Sequence, residues 1–171
     1  MASAAVAHHI RRTFNLRPGM RIGAYSPLPS ELDTAPLLRL ARERGCHVYV
    51  PRLTDLRRCR MQFIEAHGPM RRNHLGILEP LRMRRLSVRR LDLVFLPLVG
   101  FDATGMRLGM GSGYYDRAFA YLHHRRHWQR PRLIGLAYSF QQVPHIDGAP
   151  HDVRLHGVVT EKGFIKCTTG S

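Results

Sequence analysis

Apolar positions along the chain fall at two spacings, one helical and one extended, and the two alternate. In residues 2–16 Val6, Ile10 and Phe14 recur at helical spacing until Arg17-Pro18-Gly19 breaks the pattern, which predicts a helix with one buried stripe. Residues 21–26 alternate and predict a first strand. Residues 27–34 form a proline-stiffened loop that closes on an Asp33/Thr34 helix cap, and Leu37, Leu38 and Leu40 carry the next helix to a stop at Gly45. Residues 46–51 supply another strand, so a βαβ unit with parallel pairing is the economical reading. Residues 60–65 form a further strand with Met61 and Phe63 on one face. Residues 91–98 are an unbroken run rich in Leu, Val and Phe, the mark of a strand buried on both faces and so of a central parallel strand. A helix over 114–128 with Phe119 and Leu122 inward, a strand over 133–138 and a last strand over 155–160 complete the pattern. The sum is an α/β domain with a mainly parallel sheet between two helical layers. Its ligand site is expected at the carboxyl ends of strands, near Ser26, Leu98 and Tyr138.

Composition changes that picture in one respect. A chain of 171 residues with 44% hydrophobic and 23% charged positions is ordinary for one globular domain, but a net charge of +15 is not. It favours anionic partners: nucleic acid, an anionic membrane surface, or small polyanions such as ATP. No apolar stretch approaches the roughly 20 residues needed to span a bilayer, and the N-terminus lacks the apolar core of a secretory signal. Three unevenly spaced cysteines without a C-x-x-C argue against a disulfide framework or a zinc site, so a reducing cytoplasm is the expected compartment. His123 and His127 stand four apart near a helix end, yet no carboxylate or Cys adjoins them, and they read as a solvated basic last turn.

The chemistry is concentrated in residues 97–117, PLVGFDATGMRLGMGSGYYDR. After the central strand comes a loop crowded with Gly105, Gly109, Gly111 and Gly113. The last three alternate, so successive backbone N–H groups lie clear of Cβ atoms and can turn toward one anion, with a helix start near Tyr114 adding its positive end. The pattern is neither a Walker loop nor a dinucleotide fingerprint. An isolated G-x-G-x-G is as readily a tight helix–strand turn. Arg107 before the glycines, suited to a phosphate, and Asp116 after them, suited to magnesium or to capping the helix, shift the balance toward a nucleotide–metal site.

RLGMGSGYYDR with PLVGFDATG resembles the signature of the 5-formyltetrahydrofolate cyclo-ligase family, also called methenyltetrahydrofolate synthetases: P-G-x-x-F-D-x-x-G-x-R-L-G-x-G-x-G-Y-Y-D. Elsewhere Tyr25, Pro27, Glu31 and Thr34 match the family's Y-x-P-x-x-x-E-x-x-T, residues 76–80 resemble G-I-x-E-P, and the tail through His151, Asp152, Thr160 and Glu161 resembles its closing pattern. The resemblance implies one Rossmann-like domain over residues 1–171 and an ATP-driven ring closure of 5-formyltetrahydrofolate, possibly polyglutamylated, to the 5,10-methenyl form. It further implies that Arg107, Leu108, Gly109, Met110, Gly111, Ser112, Gly113, Tyr114 and Tyr115 hold ATP, with Arg107 and Tyr114 catalytic. Glu31 and Tyr114 would contact the folate, Asp116 and Asp152 would hold Mg2+, and Glu79 would wall the folate cleft without a catalytic role. A monomer is expected.

Two departures bear on activity. The chain is expected to start after the family's opening helix, whose K-x-x-L-R pattern reaches the ATP phosphates, and Arg11, Arg12 and Arg17 come too late to replace it. Met110 and Ser112 occupy loop positions that are often Tyr or Arg, and Gly or Lys, in the family. The alternatives are therefore a folate-binding relative with impaired turnover, and a basic nucleic-acid-binding protein that reuses the fold. The chain shows no helix-turn-helix, RNP or finger pattern and no interleaved aromatics, which argues against the latter.

Overall fold

The structure is a computed structural model that describes residues 1–55, 57–72, 76, 78–81, 84–125 and 130–168. Ile77, His127 and Trp128, and the side chain of Glu79, lie outside what is described.

Helix α1 (Ala2–Thr13) buries Val6 and Ile10, with Phe14 buried just beyond its end, as the apolar spacing requires. Strand β1 (Arg21–Ala24) leads into the 25–34 loop and helix α2 (Ala35–Glu43). Asp33 Oδ1 accepts the Ala35 N–H at 2.9 Å and so caps α2. The Thr34 hydroxyl turns the other way and donates to the Tyr25 carbonyl at 3.0 Å, fastening the helix start to the end of β1.

Strand β2 (His47–Asp55) runs four residues past Pro51, where the sequence pattern ends it. Past Tyr49, the last residue paired with β1, it is paired only with antiparallel β3 (Arg60–Glu65), so the donor that Pro51 lacks falls on an open edge. Two short strands, β4 (Met70–Arg72) and β5 (Leu78–Pro80), form a separate hairpin, and β6 (Arg85–Leu86) closes one edge of the main sheet. The hydrophobic run becomes β7 (Leu93–Pro97). A second small hairpin, β8 (Gly100–Phe101) with β9 (Arg107–Leu108), rises from its end.

Helix α3 (Tyr114–Phe119) is shorter than the periodicity predicts and passes into a 3-10 turn over Ala120–His124. Strands β10 (Arg132–Leu136), β11 (Gly157–Thr160) and β12 (Gly163–Lys166) finish the sheet. The chain thus ends on an antiparallel hairpin instead of stopping at β11. The alternation over 163–166 is too short to announce it.

The sheet order is β12-β11-β10-β7-β1-β2-β3-β6, with β11, β10, β7, β1 and β2 mutually parallel and antiparallel pairs toward both edges. Helices cover both faces, which makes the domain the expected three-layer α/β unit. β7 explains its own composition: Leu93 and Phe95 enter the core under α1 and α2, while Val94 and Leu96 enter the one under α3. The chain begins at β1, builds outward through β2 and β3, then returns to the other side of β1 as β7. That reversal opens a crevice at the carboxyl ends of β1 and β7.

His156 is held where the sheet is tightest: its Nδ1 accepts the Leu133 N–H at 2.9 Å, so the ring must stay neutral. Burial, and then the Arg132 charge, depress its pKa below the ordinary histidine value. A lowered folded-state pKa contributes stability above the unfolded value, lost as pH falls through the folded one. Urea midpoints should therefore fall as pH drops from 7.5 to 5, and a His156→Gln variant should show a shallower pH slope.

Candidate functional site

The crevice is walled by the 25–34 loop on one side and by the chain between β7 and α3 on the other. Glu31 sits in the first wall, half-buried, with Oε2 accepting the Leu28 N–H at 2.8 Å. Burial raises its pKa, and the one backbone hydrogen bond lowers it by less. Tyr25, buried beneath it, donates its hydroxyl to the Leu32 carbonyl at 2.7 Å and fixes the loop's curvature.

Tyr115, at the start of α3 on the second wall, lies close enough to feel the Glu31 charge. Burial and then the Glu31 carboxylate push the Tyr115 phenol well above its usual value, and the same two causes act on Tyr25. Neighbouring Tyr114 faces elsewhere, because consecutive helical residues point about 100° apart. Burial raises its pKa first, followed by Cys59 and Asp55 at the β2–β3 turn. Both tyrosines line the site, but it is Tyr115 that shares a cluster with Glu31. Only the folding of β1 beside β7 brings that pair together.

Arg107 and Asp116 are brought into direct contact. Arg107 Nη2 donates to Asp116 Oδ1 at 2.9 Å and Nη1 donates to the Val153 carbonyl at 2.5 Å, with the arginine side chain 7% exposed. The Val153 N–H donates to the same Asp116 oxygen at 2.9 Å. Strand β9, helix α3 and the 149–155 loop therefore meet at one ion pair. Asp152, the residue before Val153, closes its own loop, with Oδ2 accepting the Ala149 N–H at 2.7 Å. Asp116 carries both of its hydrogen bonds on Oδ1, whereas Asp152 is held through both oxygens, its Oδ1 lying 3.7 Å from His151 Nε2. Among the described residues no group of three His, Cys, Asp or Glu side chains gathers. Mg2+ needs only one or two carboxylates beside water and phosphate oxygens, and a carboxylate bonded through one oxygen, as Asp116 is, meets that need.

The glycines divide. Gly105 belongs to the β8–β9 turn, at a φ of 85°, where an added Cβ would strike the Leu155 carbonyl; its role is packing. Gly111 and Gly113 hold positive φ, and Arg117 Nη1 donates to the Ser112 carbonyl at 2.7 Å to close the loop. Gly109 is different: its φ is not positive and a Cβ there would meet nothing within 4 Å. Neither a positive φ nor packing requires glycine there, and the space above it is open. Leu108 and Met110 beside it are exposed.

Two supports carry no role in the sequence reading. Asp102, fully buried, accepts four hydrogen bonds, from Thr104 N and Oγ1, Met106 N and Ile146 N. Burial acts to raise its pKa, but those bonds, the Thr104 hydroxyl first, bring it below the ordinary carboxylate value. Glu161 takes Ser139 N at 2.9 Å and the Ser139 hydroxyl, tying the ends of β10 and β11. An acid inside an apolar motif, as in Phe101-Asp102, was the available signal for the first; the second pairs residues 22 apart and left none.

These positions define a doubly wound α/β domain with a polar crevice at its switch point, flanked by a glycine loop and the Arg107–Asp116 ion pair. The family model for the 5-formyltetrahydrofolate cyclo-ligase family matches residues 1–161. Among curated relatives, the 5-formyltetrahydrofolate cyclo-ligase of Haemophilus influenzae is 33% identical over 164 residues, covering 92% of this chain and 84% of its own. That of Escherichia coli K12 is 34% identical over 145 residues, covering 81% and 76%. The solved 5,10-methenyltetrahydrofolate synthetase of Aquifex aeolicus superposes with a TM-score of 0.79 at 26% identity, over 99% of this chain and 82% of that one. The chain belongs to the 5-formyltetrahydrofolate cyclo-ligase family, and its homologues are enzymes of folate metabolism. No described helix is long and apolar enough to cross a membrane.

Replacing Asp102 by Ala would strand the buried N–H groups of Met106 and Ile146, together with the part-buried N–H and hydroxyl of Thr104. A loss of about 3 kcal/mol is expected, read from urea unfolding, with the β8–β9 hairpin the first region to lose hydrogen-exchange protection.

Proposed function

We propose that this chain catalyses the ATP-dependent cyclisation of 5-formyltetrahydrofolate to 5,10-methenyltetrahydrofolate, releasing ADP and phosphate. The observation that carries the reading is membership of this family over residues 1–161, supported by the half-buried Glu31, whose charge bears on Tyr115 at the start of the helix that follows the glycine loop. The γ-phosphoryl group passes to the formyl oxygen, which becomes a leaving group. The anilino nitrogen then attacks the activated carbon and loses its proton, and the C–O bond breaks to release phosphate. Such chemistry needs alignment and charge neutralisation more than a covalent nucleophile.

The residues divide that work. Backbone N–H groups from Leu108 through Gly113 face the phosphates, Gly109 allowing the closest approach. Arg107 keeps N–H donors beyond those given to Asp116 and Val153, and these reach a phosphate oxygen. Asp116 and Asp152 hold Mg2+, which would neutralise phosphate charge. Glu31 accepts N–H donors of the folate ring, Tyr115 packs beside it, and Tyr114 stands at the glycine-loop end near the transferring group. Glu31 is suited to this because burial leaves its charge under-solvated until a donor arrives.

The direct test is the near-ultraviolet absorbance of the methenyl product when purified chain meets 5-formyltetrahydrofolate, Mg2+ and ATP. ATP-dependent appearance is expected. Folate binding without turnover would instead place the chain as a binding relative.

Gly109→Ala should weaken ATP while changing unfolding free energy by less than about 0.5 kcal/mol, the range of an exposed unstrained position. A large loss of stability would show that packing, not ligand approach, requires the glycine.

Glu31→Gln should weaken folate binding yet raise stability at neutral pH. A raised carboxyl pKa means the ionised form costs folding energy once pH exceeds the ordinary carboxylate range, and the amide removes that cost. The gain in thermal midpoint should vanish below about pH 4, where the free carboxyl is protonated in both states.

A further inference from the structure

Arg117 follows the Tyr114-Tyr115-Asp116 run and has no part in the chemistry described above, yet its side chain turns back onto the glycine loop. Nη1 donates to the Ser112 carbonyl at 2.7 Å, while its backbone N–H donates to the Gly113 carbonyl at 3.0 Å in the first turn of α3. A Cβ on Gly113 would lie 3.0 Å from the same Nη1, so the guanidinium passes directly against that glycine. Arg117 is exposed, and among the described residues no carboxylate forms an ion pair with it. Its charge also bears on Tyr114, where it acts against the larger raising effect of burial on the phenol.

Gly111 and Gly113 hold φ values of 85° and 66°, and Ser112 between them is outside the left-handed region. Backbone that alternates in handedness in this way turns successive N–H groups toward one concavity, an arrangement that takes an anion. Crowding N–H dipoles together is unfavourable while no anion is bound, so the loop keeps that shape best where a carbonyl within it is tied. In a planar trans peptide the C=O and N–H point in opposite directions. Fixing the Ser112 carbonyl on Arg117 therefore fixes the direction of the Gly113 N–H, away from the guanidinium. The bond is charge-assisted and comes from a rigid planar fork. It also polarises the Ser112–Gly113 peptide, which makes the Gly113 N–H a stronger donor to a phosphate oxygen.

Resting on the cyclisation reading, we infer that Arg117 is a positioning residue for ATP: through the Ser112–Gly113 peptide it holds the glycine loop in the shape that receives phosphate before the nucleotide arrives. The two arginines that flank the loop then differ in task. Arg107 turns the donors left over from Asp116 and Val153 to the phosphate itself, while Arg117 braces the backbone that meets it. Gly113 is required twice, for its left-handed φ and for the close passage of Arg117. Bracing of this kind lowers the ordering cost of binding ATP and leaves the Glu31 side of the crevice untouched.

The test uses the full chain, with Mg2+ and ATP titrated calorimetrically and turnover followed by the absorbance of the methenyl product. Arg117→Ala should weaken ATP about tenfold, the effect of one charge-assisted hydrogen bond, and raise KM for ATP by a similar factor. KM for folate, the urea midpoint and kcat at saturating ATP should hold, because bound phosphate then keeps the loop in shape. Arg117→Lys, which retains a charged donor, should recover most of the affinity. Free guanidinium ion, added to the Ala variant well below its unfolding transition, should do the same. Arg39→Gln removes the same charge from an exposed position of α2 and should change none of these. Unaltered ATP affinity and KM in Arg117→Ala, with turnover intact, would overturn the positioning role and leave the cyclisation reading standing. ATP binding that depends on Arg117 in a chain without turnover would overturn the cyclisation reading alone, and a chain that binds no ATP would overturn both. A lowered urea midpoint with folate and ATP weakened together would make Arg117 a fastener of α3 and overturn the role. So would a loss that neither Lys nor guanidinium restores, or an equal loss in Arg39→Gln, which would reduce the effect to net charge.

Discussion

The carboxylate of Asp116 is where three separately folded pieces of this protein become one site. It accepts from Arg107 on β9 and from the backbone of Val153, and Arg107 closes the triangle on the Val153 carbonyl. Removing one member of such a partly buried pair strands the other, at a cost of about 3–5 kcal/mol. The same contacts tie β9, the start of α3 and the 149–155 loop together. A residue singled out for a cation is therefore also a structural fastener, and substitution at Asp116 acts on the fold and on the proposed metal site together.

A second constraint is the burial of ionisable groups on one side of the crevice. Glu31, Tyr25 and Tyr115 crowd together with phenols that stay protonated and a carboxyl whose charge is under-solvated. Groups left in that condition mark functional sites more often than structural ones. Asp102 shows the opposite arrangement: it is fully buried, yet four donors satisfy it and hold its charge easily. One carboxylate is built to wait for a partner and the other already has all of its partners.

The large positive charge fits the same division. A few exposed arginines have local acidic partners, such as Arg58 with Asp55, Arg84 with Glu65 and Arg130 with Asp92, and these do not contribute to the excess. Surface pairs of this kind contribute little to stability. Long-range attraction for phosphate- and carboxylate-bearing molecules follows from the excess, and where it becomes specific depends on which arginines line a concave surface.

By itself the sequence determined the layers and the address of the site. The unbroken run 91–98 could only be satisfied by a strand covered on both faces, and the Val6, Ile10, Phe14 spacing only by a helix with one buried stripe, because burial of apolar area acts on local periodicity. The family resemblance singled out the glycine loop, Glu31 and the two acids as candidates because each belongs to a short run of matching residues. Tertiary structure alone decided what those residues do to one another. Tyr115 rather than Tyr114 feels the Glu31 charge, Arg107 is bound to Asp116, and Gly105 serves packing while Gly109 does not. Each of these depends on the register of strands distant in sequence, and neither local propensity nor spacing carries that register.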